Sequence, residues 1–233
     1  MNPEAWWHYR RARYFLFFNK RDKAIAALKD VLALEPSNLL AANSLGFQYG
    51  EKGDYEQAAA QFESVLRANP ADANTKFNLG YIRQKQARHE DAIALFESAV
   101  KTSLALDRAW FGLGMSQAAL QQRETAIAAF EQAAKLQPMN PHALVELGLQ
   151  HHALGQREKV EEVVEKLRRF DPKATAQLIQ AAQPAAHGEF VLKLDEARLV
   201  SFWSYAGSRR PNGFSTRVRA SSPREIAPVS GMP

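Results

Sequence analysis

The chain has 233 residues, 46% of them hydrophobic, with 30 Lys and Arg against 25 Asp and Glu. This is enough apolar material for a buried core, yet the longest strongly apolar run, Phe15 to Phe18, falls far short of the roughly 20 residues that a bilayer-crossing helix needs. No residue is cysteine, which removes disulfides, thiolate metal sites and cysteine nucleophiles. Five Arg and one acid fall in 201–233, so residues 1–200 hold 25 basic and 24 acidic groups. A nearly neutral body lacks the sustained cationic stripe of a nucleic-acid surface, and nucleic acid is not an expected partner.

The chain opens Met-Asn-Pro-Glu-Ala-Trp-Trp-His, with an acid and two indoles where a secretory signal has a basic start and a long apolar core. This predicts a cytoplasmic protein. Trp6, Trp7, Tyr9, Phe15, Phe17 and Phe18 then mix with Arg10, Arg11 and Arg13. Two readings fit this segment: the first helix of a repeat unit, or a helix lying in a membrane interface. Phe15 and Ala24 fall on a 34-residue period that runs through the chain, which favours the repeat helix over the membrane.

The same period carries Pro36, Pro70, Pro138 and Pro172, and with them Leu45-Gly46, Leu79-Gly80, Leu113-Gly114 and Leu147-Gly148. Five units follow without insertion: 5–38, 39–72, 73–106, 107–140 and 141–174. Gly46 with Ala58, and Gly114 with Ala126, are expected on facing sides of successive helices, where small side chains let the axes approach. Phe62, Phe96 and Phe130 recur as the bulky fillers between units. Asn19, Gly53 and Gly155 share one position after the first helix, where the chain reverses through a left-handed residue. Asn38, Asp72 and Asn140 precede the next first helix and are placed to cap it, with Pro141 at its first position.

The second unit, through Leu45, Gly46, Tyr49, Ala58, Phe62 and Pro70, resembles the tetratricopeptide-repeat (TPR) family. The fourth does so through Trp110, Leu113, Gly114, Ala126, Phe130, Ala133 and Pro138. The resemblance implies an all-α fold, a right-handed α-solenoid of five TPR helical hairpins. Some positions depart from the pattern. Arg11-Ala12 replaces Leu-Gly in the first unit, and Val160 and Val164 replace Ala and Phe in the fifth, as befits terminal units with atypical neighbours. The third unit has Arg83 for an aromatic and Leu104 for Pro, and Leu104 is expected to alter the packing between units three and four. Leu178, Ala181 and Ala182 continue the helical spacing up to Pro184, which predicts a capping helix over 175–184. The remainder, 185–233, reads as an apolar segment followed by an irregular basic tail, disordered where it is rich in Gly, Pro, Ser and Arg.

Catalysis has no residues to rest on. None of the six histidines forms the four-residue helical pair of a metal site, His151-His152 points to different faces, and the glycines of Gly112-Leu113-Gly114 belong to the repeat rather than to a phosphate loop. No catalytic, metal or cofactor site is expected. The TPR resemblance instead implies a concave face lined by first helices, with the fifth and ninth positions of each unit toward a ligand. These are Asn43 and Phe47, Phe77 and Tyr81, Phe111 and Met115, and Val145 and Leu149. Such a stripe reads either as a groove for an apolar segment or as packing buried between adjacent first helices. Asn78 and Arg108 match two positions of the clamp with which some TPR proteins hold chaperone tails, but Phe47 and Gly112 depart from it. Chaperone-tail binding is therefore not expected, while Asn78 remains suited to the backbone of an extended ligand.

The sequence predicts a non-enzymatic scaffold or adaptor that binds a protein or peptide segment. The alternative is a chaperone or assembly factor that shields a subunit before export or complex formation. Phe190, Leu192, Leu194, Leu199, Val200, Phe202, Trp203 and Tyr205 add a further expectation: part of 189–206 docks on the concave face of its own chain or of a second copy. Its rivals are an unpaired tail, or a basic tail that touches anionic partners through Arg209, Arg210, Arg217 and Arg219.

Overall fold

The computed structural model describes residues 2–182; residue 1 and residues 183–233, including the segment expected to dock, lie outside the described residues. Eleven α-helices and no strand occupy the described residues. They are α1 Pro3–Phe17, α2 Arg21–Leu34, α3 Leu39–Lys52, α4 Tyr55–Ala68, α5 Ala73–Lys85, α6 His89–Thr102, α7 Asp107–Ala119, α8 Arg123–Leu136, α9 Pro141–Ala153, α10 Arg157–Arg168 and α11 Pro172–Ala182. Each odd-numbered helix from α1 to α9 folds back against the next one, and each hairpin packs on its successor.

Two kinds of turn generate this repetition. Inside each hairpin one residue takes a left-handed backbone: Asn19 (φ 54°), Gly53 (88°), Ala87 (58°), Gln121 (63°) and Gly155 (72°). All five stand at the same repeat position, although only Gly and Asn reach that conformation readily. Between hairpins, Glu35, Asn69, Ser103 and Gln137 are extended, with φ of −136°, −136°, −142° and −133°. The N–H groups of Asn38, Asp72, Leu106 and Asn140 donate back to their carbonyls at 3.0, 3.2, 3.1 and 3.0 Å. Leu104 thus makes the same hydrogen-bonded turn as Pro36, Pro70 and Pro138. The turn is held by its backbone hydrogen bond, and the proline only restricts it further.

Caps follow. Asn38 Oδ1 accepts from Ala41 N at 3.0 Å, Asp72 Oδ1 from Asn74 N and Thr75 N at 3.0 and 3.2 Å, and Asn140 Oδ1 from His142 N at 3.1 Å. Each satisfies an amide that the helix leaves open. At α7 the position is Leu106, which supplies no side-chain cap; Trp110 Nε1 instead donates to the Leu104 carbonyl at 3.0 Å.

The core repeats with the sequence. Ala24, Ala58, Ala92 and Ala126 are all fully buried, and the phenylalanines Phe62, Phe96 and Phe130 lie against glycines of their own first helices. A Cβ on Gly46, Gly80 or Gly114 would approach those rings to 2.9, 2.8 and 2.7 Å, so only glycine fits. The terminal units solve the same problem differently. In the first, Ala12 and Leu28 stand at the Gly and Phe positions and both are buried, the larger first-helix residue matched by a smaller filler. In the fifth, Leu178 of α11 fills the place: a Cβ on Gly148 would sit 2.6 Å from its Cδ2. Helix α11 accordingly packs on α9 and α10. It begins at Pro172, three residues before the expected start of the cap, because Asp171 Oδ1 accepts from Ala174 N at 2.9 Å and opens a helix there.

Candidate functional site

The first helices touch each other along the stack, α3 with α5, α5 with α7 and α7 with α9, whereas the second helices pack mainly on first helices. A row of helices that approach on one side and diverge on the other has an inner face, and the first helices form it. Residues four apart on a helix share one stripe, so the fifth and ninth positions of each unit lie together on their first helix.

Of the ten residues expected to line a groove, six are buried. Phe77, Tyr81, Phe111, Met115, Val145 and Leu149 retain only 1–9% of their accessible surface. Asn43, Phe47, Asn78 and Arg108 are half-buried. Their own second helices and a neighbouring first helix cover them: the Phe77 ring lies 5.9 Å from Phe96 of α6, Phe111 lies 5.6 Å from Phe130 of α8, and the Arg108 guanidinium of α7 covers Phe77 at 4.8 Å. These six positions are a packed floor rather than an open apolar stripe.

Polar groups rim the floor. Asn43 Oδ1 lies 2.9 Å from Thr75 Oγ1, which is also 2.7 Å from Asp72 Oδ2, so the α5 cap and the α3 amide are joined. Arg108 Nη2 donates to Asn74 Oδ1 at 3.4 Å, and Lys85 Nζ sits 5.6 Å from the Tyr81 ring. No hydrogen bond engages the Asn78 side chain among the described residues, and its amide offers both donors and an acceptor. Burial pushes the Tyr81 hydroxyl pKa well above its ordinary value, with Tyr55 and Glu51 adding to the shift.

Beneath the rim, Gln84 Nε2 donates to Ser116 Oγ at 3.0 Å and to the Gly112 carbonyl at 3.4 Å, a buried polar link between α5 and α7. Sequence reasoning missed this pair, because a Gln and a Ser in an amphipathic helix carry no signal that distinguishes them from surface residues. His151 is buried with Nδ1 2.6 Å from Gln156 Oε1. No group of three or more His, Asp or Glu is placed to hold a metal among the described residues, and none of their helices is long and apolar enough to cross a membrane.

Paired helices on a strict period, with one inner face of first helices, define a helical-repeat protein of the α-solenoid class. Residues 49–109 and 107–140 each match the family described as Tetratricopeptide repeat. Over those residues the chain carries tetratricopeptide repeats, a fold that generally serves protein–protein interaction. In fold it is similar to MamA (TM-score 0.65, 20% identity, 72% of this chain and 94% of that one). It is also similar to residues 41 to the end of MamA from Desulfovibrio magneticus RS-1 (0.66, 20%, 79% and 99%). A third similar structure is YrrB, a TPR protein with an unusual peptide-binding site (0.63, 23%, 74% and 90%). No curated protein matches the chain in sequence.

Proposed function

We propose that the protein is a non-enzymatic adaptor that holds an extended polypeptide along the inner face of α3, α5, α7 and α9. The observation that carries this reading is the unengaged Asn78 amide beside a packed aromatic floor. An extended chain presents a carbonyl and an N–H that one carboxamide can pair with at once, and Asn43 and Arg108 lie on the neighbouring helices to continue the contact. The buried floor lowers the expected share of apolar contact: recognition rests on backbone amides, with Phe47 as the half-buried apolar contribution. The peptide-binding site of YrrB, a relative in fold, is in keeping with this reading.

The test is a peptide-display selection on the full chain, followed by affinity measurement of the selected peptides. Asn78→Ala is expected to weaken binding about tenfold, the loss of one well-made pair of hydrogen bonds, with the helical circular-dichroism signal unchanged. Equal affinity in wild type and variant refutes the site. Truncation after residue 184 examines the remaining occupant: tighter peptide binding by the truncated chain marks 189–206 as an internal competitor, and unchanged binding removes it.

A further inference from the structure

Four large aromatic side chains of α1, and a fifth at its C-cap, are turned to solvent: Trp6, Trp7, Tyr14, Phe17 and the capping Phe18 are each 50–57% exposed. Isolated exposed aromatics are ordinary, but four on one fifteen-residue helix with a fifth at its end are not. Their arrangement follows from the helix period. Taking about 100° per residue and setting the buried Ala5 at zero, Ala12 falls at about 340°, so one narrow alanine stripe meets α2. On the same scale Trp6, Phe17, Arg10, Tyr14 and Trp7 fill the opposite arc from about 100° to 200°, and Phe18 follows at the C-cap. Arg13 at about 80° and Arg11 at about 240° bound it, and no carboxylate lies between them.

The two sequence readings of this segment are therefore compatible. The alanine stripe makes α1 the first helix of a repeat, and the aromatic arc leaves it a second surface. Among the described residues Arg10, Arg11 and Arg13 enter no ion pair with a carboxylate. Arg10 rests over Trp6 at 4.9 Å and Arg11 over Trp7 at 5.5 Å, which keeps each guanidinium beside an indole.

We propose that this face of α1 docks the protein on an anionic phospholipid surface. Indole and phenol rings favour the headgroup boundary, where one part is apolar and the other wet, and flanking arginines reach lipid phosphates while their stems lie along the rings. The charge pattern selects this occupant over a second copy. Pairing two α1 faces would set three arginines against three with no acid on either arc, whereas an anionic surface complements all of them. Helix α1 lies in the interface and does not cross it; no described helix is long enough to do so.

The experiment is co-sedimentation of the full chain with vesicles of phosphatidylcholine alone and of phosphatidylcholine mixed equally with phosphatidylglycerol. Binding to the anionic vesicles, a blue shift of tryptophan emission and weakening by added salt are expected. Trp6→Ser with Trp7→Ser, and separately Arg10→Glu with Arg13→Glu, each lower the vesicle affinity at least about tenfold. All four positions are exposed, so circular dichroism remains that of the wild type. Absence of sedimentation, or binding by either variant as tight as that of the wild type, overturns the proposal. So does concentration-dependent dimerisation that the tryptophan pair abolishes in ultracentrifugation without vesicles, which identifies a second copy as the occupant.

Discussion

A Cβ on Gly112 would stand 2.6 Å from Cζ of Phe96, a residue of the preceding unit. Gly80 also closes on this ring, where a Cβ would come within 2.8 Å of Cε1. Phe96 is thus clasped by glycines of two successive first helices, α5 and α7, and joins units three and four. Gly112→Ala is expected to cost about 1–2 kcal/mol, overpacking outweighing the gain in helix propensity. Thermal denaturation checks it, and Phe96→Leu in the Gly112→Ala background should recover part of the loss. An unchanged melting temperature for the single variant would mean the clasp relaxes freely.

The left-handed turn positions divide by residue type. Ala87 and Gln121 hold φ values of 58° and 63° at positions where Gly53 and Gly155 stand in other units. Glycine removes the Cβ penalty of that conformation, so Ala87→Gly and Gln121→Gly should each stabilise the fold by about 1 kcal/mol. Denaturant midpoints with an unchanged slope give the readout. Destabilisation would show that the entropy of the unfolded chain dominates.

Leu104 is 72% exposed and follows an extended Ser103, the backbone that precedes a proline most easily. Restoring the repeat residue by Leu104→Pro should stabilise by about 0.4–1 kcal/mol, since the turn already has the geometry of Pro36, Pro70 and Pro138. A fall in the melting temperature would contradict that equivalence.

Burial holds the Glu51 carboxyl above its usual range, against the opposing pull of Arg21, whose Nη2 is 3.4 Å away. A carboxyl with a raised folded-state pKa contributes stability below the unfolded value and loses it as pH climbs through the folded one. Glu51→Gln should therefore stabilise the protein near neutral pH by about 0.5 kcal/mol, the lost pair with Arg21 being of small worth. The two chains should converge below the carboxylate range. A neutral-pH loss would show that Arg21 outweighs burial.

Alkaline titration of tyrosinate absorbance addresses Tyr81. Its raised hydroxyl pKa predicts a late step in the titration, and this step disappears in Tyr81→Phe. Because the folded state resists ionisation, the stability linked to Tyr81 is present below the unfolded tyrosine value and declines above it. A titration unchanged by Tyr81→Phe would place the hydroxyl in water.

The amino-acid sequence by itself determined the period, the helical hairpins and most turn residues. These depend on local chemistry repeated every 34 residues: Asn38, Asp72 and Asn140 as caps, Asn19, Gly53 and Gly155 as left-handed reversals, and Phe62, Phe96 and Phe130 as buried fillers. Ala87 and Gln121 were not legible as left-handed, because neither residue type announces that backbone and only the neighbouring units impose it. The start of α11 at Pro172 was also hidden, since that proline lies on the repeat ruler and the Asp171 cap competes with the ruler locally.

Tertiary structure alone decided which apolar side chains are floor and which are surface. Tyr81, Met115 and Leu149 occupy the same repeat position as Phe47, yet those three are buried and Phe47 is left half-exposed. In α1 the reverse holds: Trp6, Trp7 and Phe17 have the hydrophobicity of core residues, but the alanine stripe meets α2 and turns them to solvent. Hydrophobicity belongs to a residue, whereas burial belongs to the distance between helices.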